Sequence, residues 1–193
     1  PFYESVTYLA GQGITYGTGN GRYAPDTPIT VRQWATMICR AFDKEDALSD
    51  PAGYGGDACI NQGYADGWLN LPAMAAPDSR LCRYAIYESG FAAFDIALYS
   101  SQLYPDGEAL SSQDNAFHAA VSFGLCEDTC AGTDIITRGE AADLLYALLT
   151  GEFTVAPPPI LETIPLNNKE GVHLNSYLLE LQKDPRADPA AFA

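Results

Sequence analysis

The sequence predicts a mainly α-helical fold built from three helix-loop-helix repeats, followed by an extended C-terminal tail. Three observations carry this. Gly13, Gly67 and Gly124 each close an apolar helical run, 54 and 57 residues apart, where a residue past a helix C-terminus often needs positive φ. Two further runs open on matching capping boxes, Thr30 with Gln33 and Thr137 with Glu140. A chain of 193 residues that is 47% hydrophobic and 18% charged suits a packed core.

The first helices align as "FYESVTYLAGQGI", "DACINQGYADGWL" and "DNAFHAAVSFGL". Phe2, Val6, Leu9 and Ala10 give the first of them an i, i+4, i+7, i+8 apolar face. The second helices align as "ITVRQWATMICRAF", "LCRYAIYESGFAAF" and "ITRGEAADLLYALL". Cys82 and Ala85 stand where the other two copies carry their capping boxes, a loss worth ~1 kcal/mol. Between the helices of the first repeat, "TYGTGNGRYAPDTP" reads as a loop or tight hairpin. Its "GTGNG" lacks the lysine of a phosphate-binding loop. "YADGW" and "YPDG" lack the alternating acids of a calcium loop and read as turns. The expected boundaries are residues 1–46, 47–103 (divergent) and 104–153, then a proline-rich linker and docking tail or start of another module at 154–193.

A formal charge of −15 disfavours nucleic acid, which needs a basic footprint. No apolar run reaches the ~18 residues that insertion into a bilayer requires. The chain opens at Pro1 without a signal-peptide pattern, which suggests a processed or engineered boundary. Five cysteines weakly suggest an oxidising compartment. Cys126 and Cys130 in "CEDTC" are a candidate disulfide, with thiols or a metal as the alternatives. Only two histidines are present, without paired zinc spacing, so neither a metal nor another cofactor is expected. Cys59 and Cys82 form a second candidate pair, and Cys39 reads as a small buried hydrophobe.

The phrase "YLAGQGITYGTGNGRYAPDTPITVRQWATMICRAF" resembles the S-layer homology domain of bacterial surface proteins. The first repeat supplies Gly13-Ile14, Gly17, Gly21, Tyr23, Pro25, Ile29 and Thr30; the third supplies Ile136, Thr137, Arg138, Gly139 and Glu140. Leu48-Ser49-Asp50 and Tyr104-Pro105-Asp106 are similar to the family's F-x-D lead-in. The resemblance spans roughly residues 1–153 and is weak in the second repeat. It implies a pseudo-threefold bundle with ligand grooves between neighbouring repeats. It also implies a non-catalytic anchor of an exported protein, placed in the extracellular bacterial cell wall or S-layer. The implied partner is an anionic, often pyruvylated, secondary cell-wall polysaccharide.

Arg138 then acquires a role. A cation in the first turn opposes the helix dipole by a few tenths of a kcal/mol, but beside unpaired first-turn amides it can grip a carboxylate. Arg83 is equivalent in the second repeat, whereas the first has Val31 there and Arg32 one position on. The plain alternative for Arg138 is solvation or pairing with Glu140 or Asp134. Tyr16, Trp68 and Tyr84 are candidate sugar-stacking faces, Tyr16 the most exposed by position. Trp34 continues an apolar stripe, and Trp68 aligns with Ile14 and Leu125, so core packing competes for both.

Two other functions compete. The repeats can serve as a protein-protein scaffold that has lost glycan binding, or as the non-catalytic part of a larger exported cell-wall enzyme. A cysteine hydrolase using Cys126 or Cys59 with His118 lacks any recognisable nucleophile signature. No catalysis is expected within this chain.

Overall fold

The structure, a computed structural model, describes residues 1–44, 48–49, 55–71, 76–96, 98, 111–127, 129–151 and 153. The tail beyond 153 and the Tyr104-Pro105-Asp106 lead-in lie outside these residues, as does Asp50. Six helices run through the described residues: α1 (Tyr3–Gly11), α2 (Val31–Ala41), α3 (Gly55–Asp66), α4 (Arg83–Ala93), α5 (Ser112–Ser122) and α6 (Arg138–Thr150). In chain order they can be taken as three consecutive pairs, α1 with α2, α3 with α4 and α5 with α6.

The packing partners are not the sequence neighbours within a pair. Helix α3 packs on α2, α5 on α4, and α1 on α6. Each first helix therefore lies against a second helix of another pair, and α1 on α6 closes the ring. The alignment of apolar positions explains why. A single helix-loop-helix leaves one apolar face uncovered, and three can cover one another cyclically.

The ring is fastened at its centre by three short extended segments that precede α2, α4 and α6. Ile29 N–H donates to Ile136 O (3.1 Å), Ile136 N–H to Leu81 O (3.0 Å), and Leu81 N–H to Ile29 O (3.1 Å). Ile29, Leu81 and Ile136 are buried, so this triangle satisfies their amides away from water while their side chains enter the core. Trp34, Ile38, Ile86, Phe91 and Leu145 complete that core.

Local signals read from the sequence appear where expected. Thr30 and Thr137 cap α2 and α6 through full capping boxes with Gln33 and Glu140, whereas Cys82 caps α4 without a side-chain hydrogen bond. Gly13, Gly67 and Gly124 have φ of 72°, 79° and 74°. The "GTGNG" stretch is a tight turn, with Thr18 N–H donating to Arg22 O at 2.8 Å and Arg22 N–H to Gly19 O at 3.0 Å. Trp34 and Cys39 are fully buried.

One face differs. Helix α1 buries Ser5 and Leu9, while Ala10 is exposed. Ser5 Oγ hydrogen-bonds the Asp143 carboxylate on α6, which gives the buried hydroxyl a partner in that contact.

Cys82 has φ −93° and ψ 168°, close to the −101° and 161° of Thr30. A threonine there already has the backbone of a cap. Cys82→Thr should raise stability by about 0.5–1 kcal/mol, measured as a higher midpoint in chemical denaturation.

Candidate functional site

The helix starts were the sequence's first candidates for anion capture, and their amides prove to be occupied. Val31 N–H donates to Ser79 O (3.0 Å), Arg83 N–H to Asp134 O (3.0 Å) and Arg138 N–H to Thr27 O (2.8 Å). One residue further, Arg32, Tyr84 and Gly139 donate to Pro77, Gly132 and Pro25 carbonyls at 2.8–2.9 Å. The expectation of exposed amide donors beside the arginines is therefore corrected. A loop of another pair reaches each helix start and takes its first two donors, and the threonine caps take the third on α2 and α6.

The two equivalent arginines also separate. Arg83 forms an ion pair with Glu140 of α6, with side-chain exposures of 11% and 29%. It also approaches Cys126 Sγ at 3.8 Å and lines neither groove described below. Glu140's carboxyl sits below its ordinary range: burial would raise it, but hydrogen bonds from Thr137 and the Arg83 guanidinium outweigh that. Arg138 is buried, its Nε donating to Tyr23 O at 3.0 Å and its guanidinium 4.7 Å above the Tyr23 ring. The Tyr23 hydroxyl donates back to Arg138 O at 3.0 Å. Neither Glu140 nor Asp134 is its partner.

Arg138 nevertheless borders a groove of about 650 Å³. The floor is α2, through Gln33, Thr36 and Met37; one wall is the loop Thr15–Thr18 after α1; Arg32, Arg40 and Arg138 all line it. Arg40 lies 4.4 Å over the ring of Tyr16, and its Nη1 donates to Ile14 O at 3.4 Å. Tyr16 is 75% exposed, so the ring is an accessible apolar face backed by a cation. Gly17 makes that wall possible: at φ +72°, an added Cβ would lie 2.3 Å from Arg22 O. Arg32 is the weakest of the three cations for an incoming anion, because Asp57 (2.7 Å) and Asp78 (3.3 Å) already pair with it.

A second groove, about 600 Å³, occupies related ground on α4 and is lined by Tyr64, Trp68, Leu69, Asn70, Glu88 and Ala92 among others. By the repeat alignment, Asn70 replaces Tyr16, Glu88 replaces Thr36 and Ala92 replaces Arg40. No arginine lines it. Trp68 is 6% exposed and packs against Gly63, where an added Cβ would meet its ring at 2.7 Å. Tyr84 meets Phe117 edge-on at 5.5 Å and covers Gly132. Neither ring belongs to the arginine-lined groove.

Of the predicted site residues, the structure thus brings together Arg138, Arg32, Tyr16 and the cap residue Gln33, and adds Arg40. It leaves Arg83, Trp68 and Tyr84 elsewhere, and gives Thr30, Thr137 and Glu140 structural work at the helix starts. Sequence reading overlooked Arg40 because a cation near a helix C-terminus is ordinary dipole complementation. Cys126 and Cys130 share a turn with their thiols in contact; burial and that contact raise the Cys130 thiol, Arg83 opposing them. Cys59 lies beside Cys39, whose Sγ is 3.9 Å from the Cys59 carbonyl oxygen. The described residues hold no cluster of metal-ligating side chains.

The described residues thus form a helical fold of three helix pairs that carries a tyrosine- and arginine-lined groove. The family model for the S-layer homology domain matches residues 1–30, a stretch that holds α1, the Gly-rich turn and the Thr30 cap of α2 and includes the groove-lining residues Thr15–Thr18. No curated protein matches the chain. S-layer homology domains are non-catalytic cell-wall anchoring modules that bind cell-wall polymers and occur in cell-surface or S-layer proteins. No helix of the described residues is long and apolar enough to cross a membrane.

Proposed function

We propose that this chain is a cell-surface anchor of an exported bacterial protein, binding an anionic, possibly pyruvylated, secondary cell-wall polysaccharide without catalysis. The repeats run over 1–46, 47–103 and 104–153. The observation that carries the reading is the convergence of Arg32, Arg40 and Arg138 with exposed Tyr16 on one groove. The chain has ten lysines and arginines and a net charge of −15, so three cations in one cleft stand against the rest of its surface.

The chemistry follows from the groove. The Tyr16 ring offers an apolar face to the C–H face of a pyranose. Arg40 and Arg138 present planar donor forks to a carboxylate on that sugar. Arg138 is oriented by the Tyr23 carbonyl and ring, so little side-chain entropy is lost on binding. The groove on α4 has a carboxylate and no cation, so an acidic sugar is bound at the first groove in preference. A disulfide between Cys126 and Cys130 fits the contact of their thiols and an extracellular setting.

Co-sedimentation with purified sacculi tests this. The chain should pellet with sacculi that retain the secondary polymer and stay in solution after that polymer is stripped. Equal pelleting in both cases would leave a protein-binding scaffold as the better reading. Binding should also weaken as salt rises from about 50 to 500 mM, since screening shortens the reach of the arginine charges.

A further inference from the structure

Two buried cysteines are left unused by the anchoring account. Cys39 on α2 and Cys59 on α3 are both 0% exposed and sit in the contact between those helices. The Sγ of Cys39 lies 3.9 Å from the Cys59 carbonyl oxygen. We propose that Cys39 and Cys59 form a disulfide that staples the first repeat to the second.

The repeat alignment shows how this interface departs from the other two. Counting from the helix starts, Phe91 and Tyr146 occupy the place of Cys39; counting from the closing glycines, Ser5 and Ala116 occupy the place of Cys59. In this alignment two of the repeat interfaces have an aromatic and a small residue at these places, and the third has two cysteines. The register is consistent, because Ser5 bonds Asp143 while Cys59 bonds Thr36, the residue equivalent to Asp143. The two thiols also interact directly. The Cys39 thiol hydrogen-bonds Cys59 and, with burial, is pushed up, whereas that bond holds the Cys59 thiol down.

The oxidant is a dithiol-disulfide oxidoreductase in its disulfide form, or glutathione disulfide in vitro. Cys39 as thiolate attacks that disulfide, forming a mixed disulfide and releasing one oxidant thiolate. Cys59 as thiolate then attacks Cys39 Sγ, forming the protein disulfide and expelling the second oxidant thiolate. Two protons leave the cysteines, and two electrons reduce the oxidant. Because neither sulfur reaches water once α3 is seated, the exchange occurs while the helices dock. The finished bond is then shielded from reductants.

The closed loop contains Arg40 and Asp57, the latter paired with Arg32. The staple would therefore hold the α2 side of the arginine-lined groove. This inference does not depend on what the groove binds.

Trypsin separates the candidates cleanly. Cys39 falls in residues 33–40, Cys59 in 45–80, Cys82 in 81–83, and Cys126 with Cys130 in 84–138. The full chain is refolded in a glutathione redox buffer, alkylated under denaturing conditions without reductant, digested and mapped by mass. The expected product is 33–40 joined to 45–80, converted by reductant to two separate peptides. Alkylated Cys39 and Cys59, or 45–80 joined to 81–83, would overturn the proposal. The triple variant Cys82→Ser/Cys126→Ser/Cys130→Ser provides the second measurement. It should still lose two hydrogens on oxidation and melt higher without reductant than with it; an unchanged mass would be equally fatal.

Discussion

Arg40→Ala should weaken binding to the acidic polymer by roughly tenfold or more while leaving the fold intact. A hydrogen bond to a charged partner is worth about 1.5–3 kcal/mol, and each 1.4 kcal/mol is tenfold in affinity. Arg40 is partly exposed and makes one long backbone hydrogen bond, 3.4 Å, so its removal costs the core little. It also leaves Tyr16 without the cation behind its ring. Arg32→Ala should have a smaller effect, because two carboxylates already compensate that charge. Arg83→Ala should leave affinity unchanged, since Arg83 lines neither groove. Isothermal titration on the three variants, each checked for native circular dichroism, gives this order directly. Equal losses for Arg40 and Arg83 would point away from the groove.

Glu140→Ala should destabilise the fold by about 2–3 kcal/mol. Glu140 does two things at once. It accepts from the Thr137 N–H at 2.8 Å and from the Thr137 hydroxyl at 2.7 Å, closing the α6 capping box. It also neutralises Arg83 from another helix pair. Alanine would leave Arg83 with a buried charge and no carboxylate, its Nε already lacking a hydrogen-bond partner. Removing one member of a fully buried pair costs about 3–5 kcal/mol; the 29% exposure of Glu140 lowers that figure. Thermal denaturation should show a midpoint lower by roughly 5–10 °C. In a double-mutant cycle, Arg83→Met should recover part of the loss.

The same carboxylate sets an acid limit. Glu140's pKa is lowered in the folded chain from its ordinary 4.5. Its contribution is therefore complete above the unfolded value and is lost as pH falls through the folded one. The gap in melting temperature between the native chain and Glu140→Gln should be widest near pH 7 and should narrow as pH falls below the ordinary carboxylate range. A gap that widened in acid would reverse the sign and contradict the ion pair.

Helix type and position were legible because their causes are local. The closing glycines at 13, 67 and 124 report positive φ, and Thr30 and Thr137 report caps, within a few residues of sequence. The pairing of α1 with α6 was legible only as repetition, since no local signal says which apolar face covers which. The fate of the helix-start amides was not legible at all. Their partners, such as Thr27 O for Arg138 and Asp134 O for Arg83, belong to loops of other pairs, 45 residues or more away in sequence. Arg83 and Arg138 look alike in the alignment, yet one faces Glu140 and the other Tyr23. The residues at the third position of the neighbouring helices differ in charge: both close their own capping boxes, but Glu140 also carries a carboxylate that pairs with Arg83, whereas Gln33 at the equivalent place is neutral.

Titrating the isolated secondary polymer into the chain, before and after its acidic substituents are hydrolysed away, tests the anchoring account most directly. The account predicts saturable binding at one site per chain that disappears with those substituents and weakens with Arg40→Ala. Undiminished affinity for the neutral polymer would contradict it.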